Sequence, residues 1–170
     1  MTQWPLFRDV WALGPPNTGY PGSFPRGLIP RIKDRWWGDN RCWLFSGAYK
    51  DPNAITVDIN PAVEPDIIAD CTQLPLKTES FDFVMLDPPY SPFEAAKLYG
   101  LPHVSLTKAI NEASRICEPG GYVVLLHRII PWCHPRENAH KKRLKPVACV
   151  GVYTIAGYTN MRALTVWQKQ

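Results

Sequence analysis

The stretch SFDFVMLDPPYS, residues 80–91, decides how the rest of the chain is read. Phe81 to Leu86 is an apolar run of strand length, rich in aromatic and branched side chains. It stops at an acid, two prolines and an aromatic. Pro88 and Pro89 cannot donate to a sheet ladder, so the strand ends in a stiff turn whose first residue is Asp87. Two further runs end the same way, AITVD at Asp58 and DIIAD at Asp70, and the run CWLFS is followed by Gly47. One acid at a strand end is an ordinary turn starter. Three of them, with a glycine after a fourth run, describe a site, because ligands of open α/β sheets bind outside the carboxyl ends of the strands.

Working outward, strand-like runs continue as YVVLLH (122–127), VACVGVYTI (147–155) and ALTVW (163–167). A helical repeat of Leu106, Ala109, Ile110, Ala113 and Ile116 lies between the fourth and fifth runs, with Ser105 or Thr107 as N-cap and Gly120-Gly121 expected to close it. A strand, a helix and a strand make two parallel neighbours. The last two runs, joined by the turn-rich segment 156–160, are expected to pair as an antiparallel hairpin. The expected fold class is therefore α/β, a mostly parallel sheet with a C-terminal antiparallel hairpin. Between Gly47 and Ala54, and between Asp58 and Asp66, there is no room for a crossover helix, so helices are reduced on one face. The aromatic N-terminal segment with Trp36, Trp37 and Trp43 is the expected cover.

At 170 residues the chain reads as a single domain, with residues 1–40 as an ordered but irregular segment packed on the core. A hydrophobic share of 45% with 20% charged residues suits a water-soluble globular protein, and no apolar run approaches a membrane span, so a cytoplasmic location is expected. Five scattered cysteines without a CxxC pair indicate neither a disulfide framework nor a zinc ribbon. His127, Cys133, His134 and His140 match no familiar zinc spacing, and no metal is expected. The net charge of +4 is gathered in two clusters, Arg26, Arg31, Lys33, Arg35 and Arg41, and Arg136, Lys141, Lys142, Arg143 and Lys145, a distribution suited to a polyanion or to plain solvated surface.

The order LFSG, VDINP, IADCTQLPL, SFDFVMLDPPYS, EPGGYVVLLH resembles the motif order of class I S-adenosylmethionine-dependent methyltransferases. Within that family it is most similar to the amino-methyltransferases whose fourth motif is Asp or Asn, Pro, Pro, Tyr or Phe. The likeness runs from about Gly22, because SFPRGLIPRI resembles the segment before the first motif. The resemblance implies a Rossmann-like class I methyltransferase sheet with S-adenosylmethionine as cofactor. Asp58 would hold its ribose, Ile59 would pack on its adenine, Asp70 and Cys71 would meet the adenine edge, Phe45 and Gly47 would lie under the methionine part, and Asp87 would also touch the cofactor. Asp87 and Pro88 would accept the target amino hydrogens, Pro89 would stiffen the loop, and Tyr90 would stack on the target base. The first motif departs from the family in holding Gly47 as its only glycine.

The chemistry explains the residue types. An exocyclic amino group is a poor nucleophile because its lone pair is delocalised into the ring, and two acceptors can draw it toward tetrahedral geometry. The prolines remove N–H groups that would compete for those acceptors. An aromatic suits a flat base taken out of its stack. The leading expectation is methylation of N6 of adenine in DNA. The rivals are an RNA base, a protein glutamine amide, and a nucleic-acid-binding protein that kept the fold without catalysis. Substrate contacts are expected from Tyr90, Ser91, His127, Arg128, Lys141, Lys142 and Arg143, with nucleic acid as partner. With no room for a recognition domain, a homodimer or a partner subunit could complete target recognition.

Overall fold

The protein is described from a computed structural model, which covers residues 6–20, 22–131, 143–154 and 161–170. Its strands are β1 (Phe7–Leu13), β2 (Arg41–Leu44), β3 (Ala54–Asp58), β4 (Ile67–Ile68), β5 (Phe81–Leu86), β6 (Cys117–His127), β7 (Leu144–Thr154) and β8 (Arg162–Lys169). They form one sheet in the order β1-β7-β8-β6-β5-β2-β3-β4. β4, β3, β2, β5 and β6 are mutually parallel, while β8 runs antiparallel between β6 and β7. The chain leaves β2 toward β3 and β4, then returns to lay β5 and β6 on the other side. That reversal between β2 and β5 is the point at which such sheets open a crevice.

The expected βαβ unit is present. Helix α3 (Leu106–Ile116) follows the short α1 (Leu28–Lys33) and α2 (Pro92–Glu94), and the Ser105 hydroxyl accepts from the Lys108 N–H at 3.4 Å as its N-cap. Its closure differs from expectation. Gly120-Gly121 lies inside β6, because the helix passes straight into the strand at Cys117. Pairing there slips between Phe81 and Phe83, and a Cβ on Gly121 would stand 2.8 Å from the Asp82 carbonyl oxygen. Gly121 serves close approach at a bulge, and Gly120 supplies a left-handed φ of 86°; neither caps the helix.

The first crossover, from β2 to β3, is a bare loop, and the second holds only a 3₁₀ turn (Pro61–Val63). One face of the sheet carries α3 through Ala109, Ile110, Ala113 and Ile116, packed on Leu44, Val84, Leu86, Val123 and Leu125. Among the described residues the other face has no long helix and is covered by aromatics, as the tryptophans suggested. Trp43 lies 4.5 Å from Tyr49, and Trp37 lies 5.1 Å from Phe83, ring centre to ring centre. Such rings bury much apolar area with little entropy to lose, so a few of them replace a helix layer.

The segment read as irregular is partly regular. Phe7–Leu13 forms β1, parallel to β7 at the sheet edge, and Leu28–Lys33 forms a helix with Leu28 and Ile32 buried. β1 escapes a sequence reading because only Trp11 and Leu13 of its seven residues are buried. Among the described residues, no helix is long and apolar enough to cross a membrane.

Candidate functional site

Register brings the strand ends level. Leu44 pairs with Leu86, Leu86 with Leu125, and Asp58 with Ile68, so Phe45, Asp58, Asp87 and His127 all lie along one edge of the sheet. A cavity of about 680 Å³ opens there, lined among others by Phe45, Gly47, Asp58, Asp70, Asp87 and Tyr99. Ile59, Cys71 and Pro89 border it as well. A second cavity of about 210 Å³ adjoins, walled by Pro88, Tyr90, Ser91 and His127, and it shares Pro89, His103 and Val104 with the first.

Each acid has a defined posture. Asp58 accepts from the Gly47 N–H at 2.8 Å on one oxygen and from the Asn60 N–H at 2.9 Å on the other. A carboxylate has about four lone-pair sites, so two remain for a ligand's hydroxyls. Gly47 sits at φ 51°, and a Cβ there would stand 2.9 Å from the Tyr20 ring, so glycine is required even though the family's other glycines are missing. Phe45 also adopts a left-handed φ of 56°, a strained backbone of the kind found at ligand sites. Between them, the Ser46 hydroxyl is buried on the cavity wall and has no hydrogen-bond partner among the described residues. Asp70 uses one oxygen on the N–H and hydroxyl of Thr72, both at 2.8 Å.

Asp87 is held differently. The Tyr90 hydroxyl donates to its Oδ1 at 2.9 Å, and Arg162 Nη1 donates to the Tyr90 oxygen at 3.3 Å. Burial pushes the Asp87 carboxyl up to about 7, against the opposing pull of Arg162 and Tyr90. Burial likewise raises the Tyr90 phenol well above its usual range, so it stays a donor at neutral pH. His127 is 5% exposed and meets the Tyr90 ring edge-on at 5.2 Å. Its Nδ1 accepts from the Ile129 N–H at 3.1 Å, which leaves the proton on Nε2 to reach the Pro89 backbone. Burial lowers its pKa, so the imidazole is neutral.

The structure gathers Phe45, Gly47, Asp58, Ile59, Asp70, Cys71 and Asp87 on one cavity, with Pro88, Tyr90, Ser91 and His127 on its neighbour. Ser91 uses its hydroxyl to cap α2 at the Glu94 N–H, 3.1 Å away. Arg128 forms an ion pair with Glu94 at 2.7 Å and lies 5.3 Å from the Tyr90 ring centre. Arg143 is not at the site. It precedes β7, whose first residue Leu144 pairs with Lys169 at the far end of β8, on the opposite edge of the sheet from Asp87. Lys141, Lys142, Cys133, His134, His140 and the hairpin turn 156–160 lie outside the described residues. In the first basic cluster Arg26, Arg31, Lys33 and Arg35 are exposed, whereas Arg41 is buried in an ion pair with Asp51 at 3.0 Å. Arg162 and Tyr99 are site residues that sequence reasoning missed. Topology held the signal for Arg162: β8 runs antiparallel, so its first residue, not its last, reaches the site edge.

No protein-family model matches the sequence, and no curated protein does. Solved structures do. An S-adenosylmethionine-dependent methyltransferase from Methanosarcina mazei superposes with a TM-score of 0.53 at 13% identity, over 84% of this chain and 98% of that one. The fold is that of class I methyltransferases. The N-methyltransferase NodS from Bradyrhizobium japonicum matches at 0.51 and 13% identity, over 84% and 92% of the two chains. TrmN from Thermus thermophilus matches at 0.54 and 17%, over 84% of this chain and 47% of that one.

Proposed function

We propose that the chain is an S-adenosylmethionine-dependent methyltransferase that acts on an exocyclic amino group of a nucleic-acid base, with N6 of adenine in DNA the preferred target. One observation carries this reading: Asp87, at the head of Pro88-Pro89-Tyr90, shares a single cavity with Asp58 and Asp70. The residues fit the cofactor. Asp58 keeps two lone-pair sites for ribose hydroxyls, the unpartnered Ser46 hydroxyl offers a further polar contact, and the cavity's 680 Å³ leaves room for a target beside the donor.

S-adenosylmethionine supplies an electrophilic methyl carbon, and loss of that methyl leaves a neutral thioether. The protein's part is placement. Asp87 and the Pro88 carbonyl accept the two amino hydrogens, which restores lone-pair density to the nitrogen. As the C–N bond forms, the nitrogen gives up one proton, and a carboxyl held near 7 can take and release it at neutral pH. Tyr90 and the neutral His127 wall the pocket in which a flat ring would stand.

The test is incubation of the purified chain with radiolabelled S-adenosylmethionine and DNA, RNA or protein in turn, followed by nucleoside analysis. Label in N6-methyladenine of DNA is expected. Label confined to RNA or to glutamine would reassign the substrate, and no label with no cofactor binding by calorimetry would overturn the enzyme. In the same calorimeter, Asp58→Ala is expected to weaken S-adenosylmethionine about 100-fold, since two charge-assisted hydrogen bonds are lost and Gly47 is released. An unchanged affinity would detach Asp58 from the cofactor.

A further inference from the structure

We propose that the Tyr90 hydroxyl and Arg162 form a relay that turns one oxygen of Asp87 toward the target amino group, which makes Arg162 a positioning residue for methyl transfer. The inference rests on the methyltransferase reading and adds to it a role that a stacking aromatic does not need. If Tyr90 served only as a wall, phenylalanine would do, and its hydroxyl would have no reason to be buried against an acid.

The geometry is specific. Tyr90 Oη lies 2.9 Å from Asp87 Oδ1 and 3.3 Å from Arg162 Nη1, so the phenol accepts from the guanidinium and donates to the carboxylate. A hydroxyl can do both at once, and each bond polarises the other. The remainder of Tyr90 is clamped. Glu94 accepts from its N–H at 3.2 Å and pairs with Arg128, whose guanidinium lies over the ring, while His127 meets the ring edge. With Oδ1 engaged, Oδ2 is the oxygen left for the amino group. Arg162 stands at the start of β8, on a different element from the Asp-Pro-Pro loop, so sheet geometry and not loop motion sets the carboxylate's direction.

The relay also governs the charge of Asp87. The groups facing it are Tyr90 on the loop, Arg162 on β8, and Tyr99, which ends the π-helical turn Ala95–Tyr99 and stays a neutral phenol because burial and Asp87 raise its pKa to about 12. Burial opposes the carboxylate, and Arg162 and Tyr90 favour it. Removing either favouring group therefore moves the Asp87 titration upward.

The experiment labels aspartate carboxyl carbons with ¹³C and follows Asp87 by NMR from pH 4 to 9 in the protein without cofactor, in wild type, Tyr90→Phe, Arg162→Gln and Arg162→Lys. Arg162→Lys keeps a cation on the same site and serves as the check that a moved midpoint reports charge and not misfolding. The midpoint is expected to rise by about one pH unit in Tyr90→Phe and Arg162→Gln, and to return most of the way in Arg162→Lys. In methyl-transfer assays, the rising limb of the rate is expected to move with it, with kcat about fivefold lower at pH 7 and KM unchanged. An unmoved midpoint in both Tyr90→Phe and Arg162→Gln would overturn the relay. A moved midpoint in a chain that transfers no methyl group to any substrate would uphold the relay and overturn the methyltransferase reading, so the two failures are distinguishable.

Discussion

Replacing Asp87 with alanine is expected to lower methyl transfer about 1,000-fold while leaving S-adenosylmethionine affinity within a few-fold of wild type. The separation follows from where the carboxyl stands. Asp58 and Asp70 lie on β3 and just past β4, on one side of β2, and Asp87 follows β5 on the other, beside the smaller cavity with Tyr90 and His127. On the proposed reading, losing Asp87 would remove an acceptor from the reacting nitrogen and little from the donor side, so kcat is expected to fall and cofactor binding is not. A variant that lost cofactor affinity in step with rate would show that Asp87 holds the donor.

The pH dependence sharpens this. Asp87 must be a carboxylate to accept an amino hydrogen, and its folded value is pushed up to about 7 by burial. The transfer rate is therefore expected to rise through pH 7, and Asp87→Asn, which cannot ionise, is expected to give a lower rate that is flat across the same range. Stability runs the other way. Between the ordinary carboxylate range and about 7 the folded chain binds a proton that the unfolded chain has released, so Asp87 destabilises the fold progressively as pH rises through that window. Asp87→Asn is thus expected to be more stable than wild type at pH 8, by on the order of 2 kcal/mol, in urea melts. Equal stability would mean that the carboxyl is well solvated and that the site does not strain the fold.

Those expectations rest on residues that were readable in the sequence, and the reasons differ from place to place. β5 could be read to the residue, because Phe81–Leu86 is buried on both faces and ends at prolines that admit no further strand. α3 was readable through its repeat and Ser105, but its end was not. Gly120-Gly121 looks like a cap, and only the slip of β6 on β5 shows that it is a bulge. β1 was illegible because only Trp11 and Leu13 of this edge strand are buried, too short an alternation to detect. Asp58, Asp70 and Asp87 could be found because strand ends are local features. Arg162 could not be, since what makes it a site residue is the direction of β8 and not its neighbours in sequence. Arg143 failed for the same reason in reverse. Its chain segment follows a site-edge strand in sequence, but β7 starts at the other edge.

The same gap between local sequence and assembled structure governs what holds the helix-free crossover in place, and Asp51→Ala is expected to destabilise the protein by about 3 to 5 kcal/mol. Asp51 closes the loop that stands where a crossover helix would be. Its carboxylate accepts from Arg41 Nε at 3.0 Å, Arg41 Nη2 at 3.2 Å, Trp43 Nε1 at 3.2 Å and the Asn53 N–H at 3.1 Å. Burial disfavours the charge, yet the Arg41 hydrogen bonds hold the carboxyl below its ordinary range. Alanine would leave the Arg41 side chain, 9% exposed, with only the Gly38 and Asp39 carbonyls and the Trp37 ring among the described residues, and would orphan the buried Trp43 indole N–H. For a chain of this size that loss corresponds to a melting temperature lower by about 10 °C, read by calorimetry. Because the folded carboxyl titrates below its unfolded value, its contribution is full above the ordinary carboxylate range and fades as pH falls through the folded value, so wild type and variant should converge in acid. Changing both partners, Arg41→Met with Asp51→Leu, is expected to recover most of the loss, since a buried pair replaced by apolar groups leaves no charge uncompensated. If Asp51→Ala cost less than 1 kcal/mol, the loop would be held by Tyr49 packed on Trp43 and Phe24 instead, and Tyr49→Ala would then have to carry the larger loss.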